Sequence, residues 1–405
     1  MDPRSPLTHS SAVYADYNGT TPVDPRVADA MMPFLTTHFG NPSSAHDFGA
    51  APAAAVRTAR EQVAALVGAS ASDEIVFTGS GTEADHLAIR GVLRAVGAAS
   101  GAGSVSDGGT ASGADSGTHL IVQATEHPAV LAAAEAAVAD GADVTILPVG
   151  PDGLVDPAVL AEALRPETVL VSIMHANNET GAIQPIRQLA DAAHAGGALF
   201  HTDAAQSVGK VSVDVDELGA DLLTVVGHKM YAPKGVAALY VRSGAPLAPL
   251  LPGGGQEGGL RGGTENVAGI AGFGEAARLC GEELEAGSVE RMRALRDRLA
   301  ARLEELLPGR VRLNGPREQR LPQTLNVSID DTRGMDVLAG ASSVAASTGS
   351  ACHAGADAPS PVLSAMGVEV PRAMGALRLS QGRWTTPDDV ERLAQSIAEA
   401  ATGRD

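Results

Sequence analysis

The feature that most constrains this chain is a regular alternation that begins at His119. Short apolar runs (HLIVQ, VTILPV, TVLVSIM, LLTVV) are separated by segments such as AVLAAAEAAVAD and IRQLADAAHAGG, which carry apolar residues at helical spacing. Antiparallel neighbours can be joined by a two-residue hairpin, whereas parallel neighbours need a crossover long enough to hold a helix. The alternation therefore predicts an α/β fold, with a large domain whose mostly parallel sheet is covered by helices. After PGGGQEGGLRGGTEN the pattern changes. A long amphipathic helix, Ser288–Leu307, is followed by strand-like TLNVSI and LRLSQGRW and a final helix Asp388–Ala400, which predicts a smaller α+β domain. At 405 residues the chain exceeds what one compact core supports. The expected division is 22–270 for the large domain, with 1–21 joining 271–405 in the small one and the change falling near Asn266–Gly274.

Finer expectations follow from local signals. Helices are expected over Pro25–Phe34 and Ala53–Val67, with Ser288 capping the long helix and Pro308 stopping it. Residues Ala98–Gly117 are Gly/Ser/Ala low-complexity sequence and read as a flexible surface insertion. The formal charge of −19 argues against nucleic acid or an anionic membrane as the main partner, since both need a basic face. No apolar run is long enough to span a bilayer, and the first residues lack the apolar centre of a secretion signal. Two cysteines, Cys280 and Cys352, suit a reduced, cytoplasmic chain.

The chemistry is expected between Leu199 and Gly235. Two apolar runs, Ala198–Phe200 and Leu222–Val226, each end in a polar cluster: His201, Asp203 and Gln206 after the first, His228 and Lys229 after the second. Ligands of open α/β sheets sit beyond the carboxyl ends of the strands, so both clusters should face one crevice. A lysine and a carboxylate there suit a cofactor with an aldehyde and a basic ring nitrogen, which describes pyridoxal phosphate. Lys229 would form the Schiff base, and Asp203 would keep the ring nitrogen protonated so that the ring draws electrons. A buried Asp–Lys ion pair is the plainer alternative.

Other motifs carry two readings each. GSGTEADHLAI follows the strand Glu74–Thr78 and opens a helix at about Thr82, so its amides suit a phosphate or Thr82 simply caps the helix. His127, in TEH, stands past another strand end as a ring partner or a capping histidine. HANNETG ends a strand with Asn177, Asn178 and Glu179, and its run of amide side chains is either a turn or a set of donors for a ring hydroxyl. Arg378 lies in a strand-like run and needs an anion, which a substrate carboxylate or a structural Asp or Glu would supply. Cys352 sits in STGSACHAGADAPSPVL among small residues, beside His353, as expected of a nucleophile or carrier. No second cysteine is near and the spacing matches no zinc pattern, so no metal is expected. Cys280, in helical AARLCGEEL, reads as structural.

Together these residues resemble the cysteine desulfurases of the class V aminotransferase family, which are fold-type I pyridoxal-phosphate enzymes. The resemblance runs from Tyr14 to Trp384 and omits only the insertion. Its motifs are DYNGTTPVDP, GNPSSAH, SGTE, TEH, NNETG, HTDAAQSVGK, GHK, GGGQE, RGGTEN, STGSACH and LRLSQGR, in family order. It implies that Lys229 binds the cofactor covalently, that Asp203 pairs with the ring nitrogen and that His127 stacks on the ring and moves protons. Asn178 and Gln206 would lie near the ring hydroxyl. Gly81, Thr82 and His228 would hold the phosphate, joined by Thr264 from the other subunit of a homodimer. Arg378, with Asn178 nearby, would take the substrate carboxylate.

Cys352 would take sulfur from L-cysteine as a persulfide, leaving L-alanine, and pass it to a sulfur-acceptor protein. Iron–sulfur cluster assembly and thiolation both use such a donor. One position departs from the family. Many desulfurases have a serine where this chain has Val226, and VVGHK, ACH and PSPVL look more like the selenocysteine lyase branch. A lyase converting L-selenocysteine to L-alanine and selenide is thus the alternative.

Overall fold

The computed structural model describes residues 6–7, 12–99, 117–349 and 358–403. Among these the strands are β1 (Val13–Tyr14), β2 (Ile75–Thr78), β3 (His119–Gln123), β4 (Asp143–Leu147), β5 (Thr168–Ser172), β6 (Leu199–Asp203), β7 (Leu222–Val226), β8 (Ala237–Val241), β9 (Val311–Leu313), β10 (Thr324–Ile329), β11 (Val344–Ala345) and β12 (Ala376–Ser380). The helices are α1 (Pro25–Thr36), α2 (Asp47–Val67), α3 (Gly81–Ala99), α4 (Pro128–Ala139), α5 (Pro157–Ala163), α6 (Ile186–Ala195), α7 (Val215–Leu218), α8 (Val267–Glu285), α9 (Ser288–Leu306), α10 (Gly334–Gly340), α11 (Pro361–Ala365), α12 (Val370–Met374) and α13 (Pro387–Thr402). No described helix is long and apolar enough to cross a membrane.

The large sheet has the order β2-β8-β7-β6-β5-β3-β4. Strands β7, β6, β5, β3 and β4 pair in parallel, and β8 alone runs against its neighbours. Both faces are covered, which is why the strands read as continuous apolar runs rather than alternating ones. Leu120, Val122, Leu222 and Leu239 pack under α3 and α4 with Leu87, Val92 and Val130. Their sequence neighbours point the other way. Leu223 and Val225 meet Val63 of α2 and Phe273 of α8, while Ile121 and Phe200 meet Leu189 of α6. Alternate residues of one strand thus fill two separate cores.

A second sheet, β12-β10-β9, is antiparallel and packs on α9 and α13 through Leu295, Leu299, Leu325, Leu377, Val390 and Leu393. The N-terminal strand β1 pairs in parallel with β11 in a separate two-stranded sheet, and Val13 and Ala15 pack into this same apolar cluster. Helix α8 begins where the change of domain was expected, yet it packs on α1 and α2 in the large-domain core through Ile270, Phe273 and Ala277. We propose that the division falls at Gly287, whose φ of 83° turns the chain from α8 into α9.

Several expected boundaries move. Helix α2 starts at Asp47 rather than Ala53. Pro52 lies inside the helix, close enough to its start to forfeit a single hydrogen bond. Gly287, not Ser288, precedes α9. Helix α3 opens at Gly81, with the Ser80 hydroxyl accepting from Glu83 N at 3.1 Å, so Ser80 rather than Thr82 does the capping. Residues Ala98 and Ala99 continue α3, and 100–116 of the expected insertion lie outside the described residues.

Candidate active site

Because β2, β3, β5, β6 and β7 share one direction, the segments after their carboxyl ends gather on one edge of the sheet. These segments carry Gly81 and Thr82, His127, Asn178, Gln206, and His228 with Lys229. Topology alone thus brings together residues spread over some hundred and fifty positions of sequence.

Lys229 closes the short turn after β7, Gly227–Lys229. Its Nζ donates to the carbonyls of Asn18 at 2.6 Å and Gly19 at 2.8 Å. The Asn18 carbonyl also accepts from Gln206 Nε2 at 3.1 Å, and Gln206 Oε1 accepts from Lys210 Nζ at 3.4 Å. Asn18 is therefore the hub of the site. Its own amide donates to Asn178 O at 3.2 Å and to Thr324 Oγ1 at 2.9 Å, which ties both sheets together. Composition and spacing single out no role for Asn18. The only signal was its place in the DYNG motif.

Asp203 is the last residue of β6 and is buried, with Oδ1 accepting from Ala205 N at 2.8 Å. Burial raises its pKa, opposed by His127, the Ala205 amide and Lys229. Two further buried carboxyls were missed by sequence reasoning, Asp85 on α3 and Glu126 before His127. Burial and the Asp203 charge push both well above the ordinary range. Asp85 Oδ1 and Glu126 Oε2 have no hydrogen-bond partner among the described residues. His201 is not in the crevice as expected. It lies within β6, fully buried, bonded to Ser172 Oγ at 2.8 Å and Thr224 Oγ1 at 3.1 Å, because β6 extends to Asp203.

His127 is the N-cap of α4, and its Nδ1 accepts from Ala129 N at 3.1 Å. Burial lowers its pKa below the ordinary value. A neutral ring whose Nδ1 accepts must carry its proton on Nε2. The capping role and a role in the crevice use different ring nitrogens and coexist.

After β2, α3 offers the exposed Thr82 hydroxyl and first-turn amides, which could hold a phosphate. A Cβ on Gly81 would lie 2.5 Å from Val226 Cγ2, so the first turn of α3 rests directly on Val226. His228 Nδ1 lies 3.1 Å from Thr20 Oγ1, and burial with the neighbouring Lys229 pushes the ring down to about 4, leaving it neutral at pH 7. Thr264 is exposed, in the loop after the Gly-rich turn. That loop is pinned by Arg261 Nε to Glu83 Oε1 at 2.8 Å and by Arg60 to Glu257 in two bonds of 2.7 Å.

Arg378 on β12 is buried and donates from Nη2 to Asp16 Oδ1 at 2.6 Å and from Nη1 to Asn178 O at 3.3 Å. A structural aspartate therefore pairs with this arginine. Its Nε has no partner among the described residues. Asn178 offers its backbone carbonyl to Asn18 and Arg378. Cys352 and His353 lie outside the described residues.

The donor set fits pyridoxal phosphate. A lysine amine stands at the turn after β7, and a buried carboxyl has one oxygen committed and one left for a ring N–H. A helix start of small residues follows β2. Fold and site together define a pyridoxal-phosphate-dependent enzyme of fold type I. The profile of the class-V aminotransferases matches residues 13–393, and the chain belongs to that family. It is 44% identical over 380 residues to the cysteine desulfurase IscS of Dictyoglomus turgidum, covering 93% of this chain and 91% of the relative. A cysteine desulfurase of Gluconacetobacter diazotrophicus is 45% identical over 386 residues, 95% of this chain and 92% of the relative. Among solved structures, a NifS-like protein superposes with a TM-score of 0.85 at 34% identity, covering 97% of this chain and all of its own. SspA in complex with cysteine gives a TM-score of 0.75 at 35% identity over 92% of this chain and 99% of its own.

Proposed function

We propose that the protein is a cysteine desulfurase that takes sulfur from L-cysteine, releases L-alanine and holds the sulfur on Cys352 as a persulfide for an acceptor protein. The observation that carries this reading is the convergence of Lys229, Asp203 and His127 on one sheet edge, with Lys229 linked to Arg378 through Asn18 and Asn178. Relatives named as cysteine desulfurases across more than nine-tenths of the chain support it.

When bound, pyridoxal phosphate supplies a conjugated, positively charged system that stabilises negative charge at the substrate Cα. The chain does the rest. Lys229 would hold the cofactor, and its amine, when free of it, would be a base that can carry a proton. Asp203, anionic beside a ring N–H, keeps that nitrogen protonated. His127 offers Nε2 as a proton donor because Nδ1 is committed to Ala129. Gly81, Thr82 and His228 would hold the phosphate, and Gln206 and Asn178 would serve the ring hydroxyl. Arg378, with Nε unpartnered, takes the substrate carboxylate. The Cys352 thiolate attacks the substrate sulfur. As the S–S bond forms the Cβ–S bond breaks, its electron pair stays on carbon, and protonation there completes alanine.

The reading includes a homodimer. Met32, Leu35, Phe39 and Phe48 are large apolar side chains more than half exposed on and between α1 and α2, with the Phe39 and Phe48 rings 5.8 Å apart. Such a patch suits burial against a second copy, which would bring its own exposed Thr264 to the phosphate. The free Cys280 thiol is consistent with a reducing cytoplasm.

The test is alanine release from L-cysteine and L-selenocysteine by cofactor-loaded protein, beside Cys352→Ala and Lys229→Ala. Alanine from cysteine that disappears in Cys352→Ala is expected. Release from selenocysteine alone would make the protein a lyase. A borohydride-reducible cofactor link persisting in Lys229→Ala would refute the assignment of Lys229.

A further inference from the structure

We propose that Tyr231 is a positioning residue that holds the turn carrying Lys229 against segment 18–21 and so keeps the lysine amine aimed into the site. The proposal rests on the reading of Lys229 as the residue that binds the cofactor. Tyr231 follows Lys229 by two positions and is buried, with φ 68°. That left-handed conformation is an outlier for a bulky side chain.

The turn explains the conformation. Met230 N donates to Gly227 O at 2.9 Å, and Ala232 N donates to the same carbonyl at 3.1 Å. The turn therefore closes as many helices do, with a six-to-one bond across one left-handed residue. Glycine is the ordinary residue there, because it has no Cβ to oppose the conformation. In the second bond of that motif Tyr231 N would donate to His228 O, but here Thr21 stands between them. Thr21 N and Oγ1 both donate to His228 O, at 2.9 and 3.0 Å, and Oγ1 accepts from Tyr231 N at 2.8 Å. Asp24 N donates to Tyr231 O at 3.1 Å.

The side chain supplies what glycine would lack. The chain has four tyrosines and one tryptophan. Tyr14, Tyr17, Tyr231 and Trp384 form one edge-to-face row, with successive ring centroids 5.0, 6.4 and 5.4 Å apart. The Arg383 guanidinium lies 4.0 Å from the Tyr231 ring centroid, and Arg383 N donates to Tyr231 Oη at 2.8 Å. Arg383 and Trp384 stand just past β12, the strand that carries Arg378. At the other end of the row Tyr14 Oη donates to Asp16 O at 3.1 Å and Thr20 O at 2.8 Å. Those bonds brace the loop whose Asn18 and Gly19 carbonyls receive Lys229 Nζ. One aromatic row thus holds both the turn of the lysine and the acceptors of its amine. Positioning of this kind acts on the reacting distance, where an error of about 1 Å can cost about 100-fold in rate.

The experiment compares full-length wild type with Tyr231→Gly, Tyr231→Phe, Thr21→Val and Thr21→Ser. The readouts are the rate at which added pyridoxal phosphate becomes linked to the protein in a borohydride-reducible form, kcat and KM for alanine release from L-cysteine by the loaded protein, and the thermal midpoint. Expected for Tyr231→Gly and Thr21→Val are link formation and kcat slower by about 10- to 100-fold, with KM near wild type. Tyr231→Phe keeps the aromatic row and Thr21→Ser keeps the hydroxyl, so both should stay within about threefold of wild type. Thr21→Val carries the test if Tyr231→Gly does not fold. A lower thermal midpoint with link formation and kcat at wild-type rates in Tyr231→Gly and Thr21→Val would reduce Tyr231 to a packing residue and overturn the proposal. Equal losses in Thr21→Val and Thr21→Ser would overturn it as well. Lys229→Ala separates the two readings. A reducible link that persists there removes the assignment of Lys229 and the proposal with it. Its loss there, beside wild-type rates in the Tyr231 and Thr21 variants, overturns the proposal alone.

Discussion

Replacing Asn18 with alanine would test whether one amide clasps the two sheets around the site. Asn18 is 1% exposed. The substitution removes donation to Asn178 O at 3.2 Å and Thr324 Oγ1 at 2.9 Å and a long acceptance from Gln323 Nε2 at 3.5 Å, while the backbone carbonyl that receives Lys229 remains. Two net hydrogen bonds are worth about 1 kcal/mol each, and leaving a buried partner unsatisfied adds to that. Asn178 O keeps Arg378 as a donor, so most of the added cost falls on the fully buried Thr324 hydroxyl. The expected loss is about 2–4 kcal/mol. The assay is reversible urea unfolding followed by circular dichroism, with cofactor reconstitution measured in parallel. Reconstitution should slow, because the carbonyls of Asn18 and Gly19 hold the Lys229 amine. Asn18→Asp keeps the shape but sets a carboxylate against a carbonyl, and should cost at least as much. A loss under about 0.5 kcal/mol in either variant would refute the clasp.

Three further outcomes follow from the geometry. Val226→Ser should tighten cofactor retention about tenfold by giving the phosphate a charge-assisted hydrogen bond, while lowering stability by about 1–2 kcal/mol through lost apolar burial; equilibrium dialysis and thermal melts check both, and unchanged retention counts against a phosphate beside Val226. Burial pushes His175 down to about 4. The unfolded chain therefore takes its proton first, and the stability His175 contributes is lost as pH falls from about 6.5 toward 4; ¹⁵N imidazole shifts should show it neutral at pH 5.5, and a charged ring there would contradict the burial. Glu257→Ala removes both Arg60 bonds of 2.7 Å, leaving that guanidinium the Ile75 carbonyl, and strands the Phe77 amide, which donates to Glu257 at 2.8 Å, so a loss of about 2–4 kcal/mol is expected in urea unfolding. A neutral outcome would mean that the Gly-rich loop is held by other contacts.

Local pattern went far for the fold. Apolar runs such as LLTVV and HLIVQ are strands because both of their faces are buried, and the helical segments between them force parallel pairing. Sequence also marked the candidate site residues proposed above, since Lys229, Asp203 and His127 each follow or end such a run. It failed where the answer depends on a distant partner. His201 looked like part of a polar cluster, but strands β5 and β7 supply the hydroxyls that satisfy it in the interior. Helix α8 looked like the opening of a new domain, yet its apolar face finds α1 and α2, far back in the chain.

Period and composition act over a few residues, so the sequence by itself determined the strands, the helices and the kind of chemistry at their ends. Hydrogen bonds between segments hundreds of residues apart have no local signature. Only the tertiary structure decided that Asn18 joins Lys229 to Thr324, that Asp16 shares Arg378, and that Tyr231 is held between Thr21 and Arg383.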